Sequence, residues 1–370
     1  MLRTEAVIDL SAIEANVARL AAATFAQQTR GQVMALVSAD GYGHGMLPCA
    51  RAALAGGATW LGAATVSEAL ALRDAGITAP VFTWSWAPDD LARAIDAEID
   101  LAVSGLGQLN AVRAVANELD LMARIHLEVD TGLRHSGSGL ADWPDLLDAA
   151  AKAQAQAEVV VIGVWSQLTH ADEPDHRAND AQLNAFHDAL HQAARHGIVP
   201  EVRHLANSAG TLALPGTHFD LVRAGTAVYG LSPIPLRGDL GLVPAMTLRS
   251  TVMRTKRVGA GQGASGRETT LAVVPLGYGD GIPRSAVGAA PVSIAGTRFT
   301  ISGPVGIDQF VVDARTVLVS EGDVAVLFGP GRDGEPLAQD WADATGTVHT
   351  EIVARIGPRV PRTYTGGTTA

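Results

Sequence analysis

Cysteine is almost absent from this 370-residue chain. Cys49 stands alone, which excludes a disulfide framework and a cysteine-rich metal centre. Lysine is nearly as scarce. Lys152 and Lys256 are the only two, and arginine carries nearly all the positive charge, so few ε-amines are available for covalent chemistry on a carbonyl group. Aromatic residues make up 5% and charged residues 18% of the chain, and the net charge is −11. With no basic stripe interleaved with aromatics, nucleic acid and anionic membrane are excluded as main partners. No apolar run is long enough to span a bilayer, and the opening Met1–Ala6 has no apolar signal core. A cytoplasmic protein is therefore expected. What is present is ordinary for a globular fold: 47% hydrophobic residues, and enough length for two domains or a barrel with an added domain.

The first two thirds have a βα rhythm. Val7–Asp9 reads as a short strand, and Ser11 with Glu14 fits a capping box opening a helix whose apolar face includes Ile13, Val17 and Leu20. Strands are expected at Val33–Val37, Trp60–Ala63, Val81–Trp84, Ile99–Val103, Ile125–Val129 and Val159–Val164, with helices between them. About eight such units before residue 230 predict an α/β fold whose N-terminal part, residues 1–240, is a TIM-type (β/α)8 barrel with its site at the C-terminal ends of the strands. A doubly wound sheet fits the same periodicity. After Gly230–Pro235 the pattern changes to short alternating runs, among them Leu248–Val252, Thr270–Val274, Val292–Ile294, Val311–Val319 and Val324–Phe328. Residues 241–370 are accordingly predicted to be a mainly antiparallel β domain.

One stretch stands apart: Val37-Ser38-Ala39-Asp40-Gly41-Tyr42-Gly43-His44-Gly45. It resembles the signature of the alanine racemase family, which depends on pyridoxal phosphate (PLP). The resemblance runs from about Ala6 to Tyr364. It implies a barrel with PLP at its mouth, a C-terminal β domain, and a homodimer in which that domain completes the partner's site. It also implies roles for particular residues. Tyr42, Ser208 in His204-Leu205-Ala206-Asn207-Ser208, the amides after Arg223 in Arg223-Ala224-Gly225-Thr226, and Tyr364 match phosphate contacts. Arg223 matches the residue facing the pyridine nitrogen. Tyr278, in Pro275–Gly281, matches the second racemising base, and Asp308 in Ile307-Asp308-Gln309 lies where the family meets the substrate carboxylate. Hydroxyls and amide N–H groups are suited to phosphate oxygens, and a barrel mouth is a common phosphate site.

The departures cluster around the chemistry. Ser38 stands where the family has the lysine that holds PLP as an imine and serves as one racemising base; a hydroxyl forms no imine and is a poor base. Glu128 replaces a lysine that many members carry as a carbamate, and His135 an arginine near the cofactor's phenolic oxygen. Gln167 replaces a histidine stacked on the ring. Gly306 and Pro304 replace a cysteine and an arginine. These changes lead to the expectation of an enzyme with altered chemistry on an amino-acid-like or phosphorylated small molecule. It would lack covalent PLP, and Tyr278 and His135 would do acid/base work beside Asp308 and Ser38. PLP or its amine form would bind non-covalently, or no cofactor would bind. The alternatives are a non-catalytic binding protein or pseudo-enzyme, and a residual alanine racemase. His44, His170 and the run Asp172-Glu173-Pro174-Asp175-His176 read as structural or solvated groups, and no metal site is expected.

Overall fold

A computed structural model describes residues 4–25, 31–260 and 268–368; Met1–Arg3 of the opening segment lie outside the described residues. Eight parallel strands form the first unit. They are β2 (Gln32–Leu36), β3 (Trp60–Thr65), β4 (Val81–Ser85), β5 (Asp100–Val103), β6 (Ala123–Glu128), β7 (Val159–Trp165), β8 (Val202–His204) and β9 (Leu221–Ala224). Each of β2 to β7 pairs with the strand next in sequence, and β9 pairs with β2. Backbone bonds from Asp220 N to Arg203 O and from Arg223 N to Ala206 O link β8 to β9, so the barrel is nearly closed. The strands are buried on both faces. Outer helices such as Met46–Ala55 and Trp143–Ala155 cover one face, and Met34, Trp60, Phe82, Ile162, Trp165 and Leu221 fill the interior. The barrel reading therefore holds over a doubly wound sheet.

The earlier strand β1 (Thr4–Asp9) does not enter the barrel. It pairs antiparallel with β10 (Met246–Thr251) and parallel with β17 (Arg362–Thr365), in a six-stranded sheet ordered β14-β13-β16-β10-β1-β17. Its other members are β13 (Pro291–Ile294), β14 (Thr297–Thr300) and β16 (Val324–Phe328). A second, antiparallel sheet joins β11 (Arg254–Val258), β12 (Thr269–Val274) and β15 (Phe310–Asp313). Apart from β1 with β17, all pairings in this unit are antiparallel. Two short helices, Ala338–Thr345 and His349–Ala354, break the β pattern. The apolar run Val311–Val319 is a strand only to Asp313, after which the chain turns.

Ser11 and Glu14 do not form the expected capping box. The helix Leu10–Phe25 starts two residues earlier than such a box requires, and Asp9 Oδ1 accepts from Ala12 N at 3.3 Å. Ser11 Oγ instead accepts from Gly367 N, and Glu14 Oε1 from Thr368 N, so both side chains tie down the C-terminal segment. A true capping box is formed by Thr65 and Glu68 at the helix Val66–Asp74.

Buried Asn16 joins the two units. Its Nδ2 donates to Val228 O (3.1 Å) and Val243 O (2.9 Å), and its Oδ1 accepts from Val243 N (2.9 Å). Asn16→Ala strands three backbone groups away from water, each costing about 1–3 kcal/mol if left unpaired. Urea unfolding should show a midpoint lowered by a loss of at least ~2 kcal/mol with an unchanged slope; an unchanged midpoint would mean that Asn16 does not hold the junction.

Candidate active site

The signature stretch leaves β2 and enters a left-handed turn. Ala39, Asp40, Gly41, Tyr42 and Gly43 all have positive φ, between 52° and 79°. Such a conformation costs roughly 1–2 kcal/mol for each non-glycine residue, so its neighbours must enforce it. They do. Glu68 Oε1 accepts from Ala39 N (2.7 Å) while its Oε2 accepts from Ala64 N (2.9 Å). Asp40 Oδ1 accepts from Met46 N (2.8 Å). Buried His44 places Nδ1 against the carbonyls of Gly41 and Tyr42 and its ring 4.6 Å from that of Tyr229, whose hydroxyl donates to Leu36 O. His44 is thus a structural hydrogen-bonding residue. The turn lays the Tyr42 ring against Tyr229 at 4.9 Å and sets the Tyr42 hydroxyl over Gly225. A β-carbon at Gly225 would overlap that oxygen, so glycine is required there for the close approach.

Opposite Tyr42 stands Ser208, at the start of the helix Ser208–Ala213, which Asn207 caps by accepting from Gly210 N. Ser208 Oγ accepts from Gly225 N (2.9 Å) and Ala227 N (3.4 Å), which leaves its own hydrogen free to donate. Thr226 opens a 3-10 turn, Thr226–Tyr229, so its N–H has no carbonyl partner within that turn. These groups line a cleft of about 450 Å³ at the barrel mouth, together with Leu36, Gln167 and Arg223.

Arg223 is the buried cation of this cleft. Its Nη2 donates to Gln167 Oε1 (2.7 Å) and Ser166 O (2.8 Å), and its Nη1 to His204 O (3.0 Å) and His204 Nδ1 (3.1 Å). Its guanidinium carbon lies 4.9 Å from the centre of the Trp165 ring. Burial lowers its pKa to about 10, against the opposing pull of Glu128, so it stays charged at neutral pH. Glu128 itself is held by Ser104 Oγ (2.5 Å) and Ser136 Oγ (2.8 Å).

The sequence-marked residues thus divide into two groups. Tyr42, Asn207, Ser208, Arg223, Gly225, Thr226 and Gln167 meet in the cleft, and His204 lies behind Arg223. Ser38, His135, Tyr278, Asp308 and Tyr364 do not line it within one protomer. Tyr364 packs its hydroxyl against Gly45, and burial raises its pKa. His135 is exposed and lies outside the lining of this cleft. Tyr278, half exposed, lies in the loop Gly277–Asp280, which Tyr278 N and Gly279 N tie to the carbonyls of Gly306 and Ile307 beside exposed Asp308. His170 stacks on His176 at 4.0 Å, and among the described residues no group of three metal-capable side chains occurs. The sequence reading missed Glu68, which enforces the turn, and Tyr229, on which Tyr42 and His44 rest. A Glu three residues after a Thr was the available signal for Glu68.

Residues 8–233 match the family model for the alanine racemase N-terminal domain, and 245–364 that for its C-terminal domain. The chain belongs to the alanine racemase family. It is 55% identical to the alanine racemase of Thermobifida fusca, over 98% of both chains, and 51% identical to that of Salinispora tropica, over 99% of both. The crystal structure of alanine racemase from D-cycloserine-producing Streptomyces lavendulae superposes with a TM-score of 0.95 at 49% identity, covering 100% of this chain and 98% of that one. The Bacillus anthracis alanine racemase, solved with bound L-Ala-P, superposes with a TM-score of 0.88 at 32% identity, covering 99% and 96%.

These likenesses correct the expectation of altered chemistry and its pseudo-enzyme alternative. Relatives sharing half of the sequence over nearly the whole length are alanine racemases, and the likeness points to their activity rather than to a cofactor-free acid/base enzyme. The physical reason is visible in the cleft. With Ser38, Glu128, His135 and Gln167 present, the strained turn, the Tyr42–Gly225 approach and the buried Arg223 are in place, and Gln167 is itself a hydrogen-bond partner of Arg223.

Burial holds three imidazoles near the cleft neutral: His44 at about 4, His126 at about 3, and His204 well below the ordinary value of 6.5. Unfolding lets each take a proton below 6.5, so stability falls as pH drops through that value, by up to about 1.4 kcal/mol per pH unit for each. Asp100 opposes one of them. Burial raises its carboxyl from 3.8 to about 6, so its contribution grows as pH falls from 6 toward 3.8. Urea midpoints should therefore fall steeply between pH 7 and pH 5; a flat profile would mean that the imidazoles are not buried in neutral form.

Proposed function

We propose that this chain acts as an alanine racemase, with the barrel-mouth cleft taking the phosphate of PLP. The observation supporting this is the cup itself: two hydroxyls, Tyr42 and Ser208, and the Thr226 N–H around a glycine floor at Gly225, backed by a buried guanidinium. Such a donor set suits a phosphate dianion and has no other evident use. When bound, PLP supplies an electron sink for negative charge at the carbon next to an amine. The chain's own residues do the rest. Arg223, pinned by Gln167 and His204, presents a fixed positive charge on the ring side of the cup. Tyr278, with Asp308 beside it, exchanges a proton through its hydroxyl in the site of a second copy. Residues 241–370 of one protomer would then complete the cleft carried by residues 1–240 of the other in a homodimer. The half-exposed Tyr278 and the exposed Ile307 and Asp308, solvated in the single protomer, support that arrangement. The buried lone cysteine is consistent with a cytoplasmic setting.

Position 38 is where this member diverges. The phosphate end of the cofactor fits the residues present; the end that the family ties to a lysine does not, because Ser38 carries no amine. Lys152 and Lys256 are both exposed, on the outer helix Trp143–Ala155 and on β11.

The reading is tested by D-alanine formation from L-alanine with added PLP, followed by chiral chromatography. D-alanine is expected above the blank of PLP alone, and Ser38→Lys is expected to raise the rate by about 10²-fold or more by supplying a base on the second face. No D-alanine above the blank from the natural chain would refute the proposal. Separately, PLP binding followed by tryptophan fluorescence should weaken roughly tenfold or more in Ser208→Ala and in Tyr42→Phe, each losing a hydrogen bond to a charged group. Unchanged affinity in both would remove the cup from the account.

A further inference from the structure

Behind the cleft, a line of buried polar side chains crosses the barrel interior. It starts near the N-terminal ends of the strands, where Asp100 opens β5 with its side chain fully buried and bonded to Arg124 Nε at 2.5 Å. His126, within β6, turns Nε2 toward Asp100 Oδ2 at 3.9 Å. Its Nδ1 lies 2.8 Å from His204 Nε2, and His204 Nδ1 lies 3.1 Å from Arg223 Nη1. The line ends at Gln167 in the cleft.

A guanidinium can only donate, so the direction of every bond follows from Arg223. His204 Nδ1 must accept, which places its proton on Nε2. That proton is donated to His126 Nδ1, which places the proton of His126 on Nε2, aimed at the Asp100 carboxyl. At 3.9 Å that last contact is too long for a hydrogen bond, and His126 Nε2 has no other partner. It is a dipole directed at a carboxyl group, both side chains being fully buried. Any other proton placement, or a second proton on either ring, sets two donors against each other where water cannot intervene.

The barrel is built around this line. β6 and β7 slip register between Ile125 and His126. Gly163 of β7 lies where a β-carbon would overlap the His126 ring, so only glycine leaves room for that imidazole. Phe82 packs on His126 at 4.8 Å, and Trp165 stacks on His204 with 7° between the planes. Arginine at 223 alone would need a partner at 204. It would not need a second histidine, a carboxylate beyond it, or a bulge with a glycine to admit them.

We propose that His126 is a positioning residue for Arg223: its Nδ1 accepts from His204 Nε2 and holds that ring with Nδ1 presented to the guanidinium, so the group that faces the ring of a bound cofactor is oriented from within the barrel, with buried Asp100 facing His126 from beyond. Neither touches the ligand. The inference rests on the reading of the cleft as a PLP site, but its first test does not.

That test uses the full chain without ligand, labelled with 15N-histidine. Long-range proton–nitrogen spectra from pH 5.5 to 8 should contain two neutral Nε2–H imidazoles that do not titrate, assigned by their loss in His126→Phe and His204→Phe. Asp100→Asn should shift the His126 signals and leave the tautomer of His204 unchanged. An Nδ1–H pattern at either ring, or titration near 6.5, overturns the relay. The second test compares two probes on the same variants. His126→Phe should weaken PLP about tenfold while inorganic phosphate, which sees only the cup, binds as before. His126→Gln, which restores an acceptor for His204, should recover most of the loss. Equal weakening of both probes would show a merely structural role and overturn the proposal. Failure of the parent chain to bind PLP would overturn the cofactor reading and leave the tautomer measurement to judge the relay alone.

Discussion

A guanidinium buried at the mouth of the barrel must be given acceptors, and much of the surrounding architecture follows from that requirement. Arg223 is almost inaccessible, so each of its N–H groups has to find an oxygen, a lone pair or an aromatic face inside the protein. The carbonyls of Ser166 and His204, the Gln167 amide, the His204 ring and the Trp165 face supply them. These partners lie at or just past the ends of β7 and β8, which brings the two strand ends together around the last strand of the barrel. The short β8 and β9, each only three or four residues long, keep their places through this polar cluster as much as through their own ladders.

The second constraint is backbone strain. A run of left-handed residues directly after β2 places Tyr42 over Gly225, and it is held by Glu68, Asp40 and His44 from three directions. The two constraints meet in the cleft, where the hydroxyls belong to the strained turn and to the start of the helix after β8, and the charge belongs to β9. Rigid support from different strands is what allows a site to keep its shape without a ligand.

Much of the fold was legible in the sequence because Val-, Ile- and Leu-rich runs such as Val159–Val164 can only be strands buried on both faces. The cup was legible through short motifs, Tyr42-Gly43-His44-Gly45 and Asn207-Ser208, whose glycines and hydroxyls have few packing roles. Other parts were hidden for physical reasons. Ser11 and Glu14 have the spacing of a capping box, but their oxygens serve the C-terminal segment, a partner more than 350 residues away that no local pattern reveals. β1 was not recognised as part of the second sheet, because a strand's sequence shows its faces and not its neighbours. The helices Ala338–Thr345 and His349–Ala354 are too short for periodicity to mark. Ser38 misled in another way. Its hydroxyl bears on the chemistry of one position, whereas half of all residues, over nearly the entire length, are shared with alanine racemases. The Asp100–His126 line could not be read at all, since nothing in a sequence indicates that residues on two strands share a proton direction.

The place of β1 bears on how the protein is made. It leaves the ribosome before the barrel strands, yet both its partners come after them: β10 at Met246–Thr251 and β17 at Arg362–Thr365. The barrel strands in between can pair in order as they emerge, ending when β9 reaches β2. Topologically the barrel is a guest inserted into the host sheet. During synthesis β1 is therefore an unpaired ribbon tethered to a finished barrel, and its alternating buried face of Ala6 and Ile8 must wait for its cover. Damage to β17 would be felt first at β1, on the far side of the whole barrel in sequence.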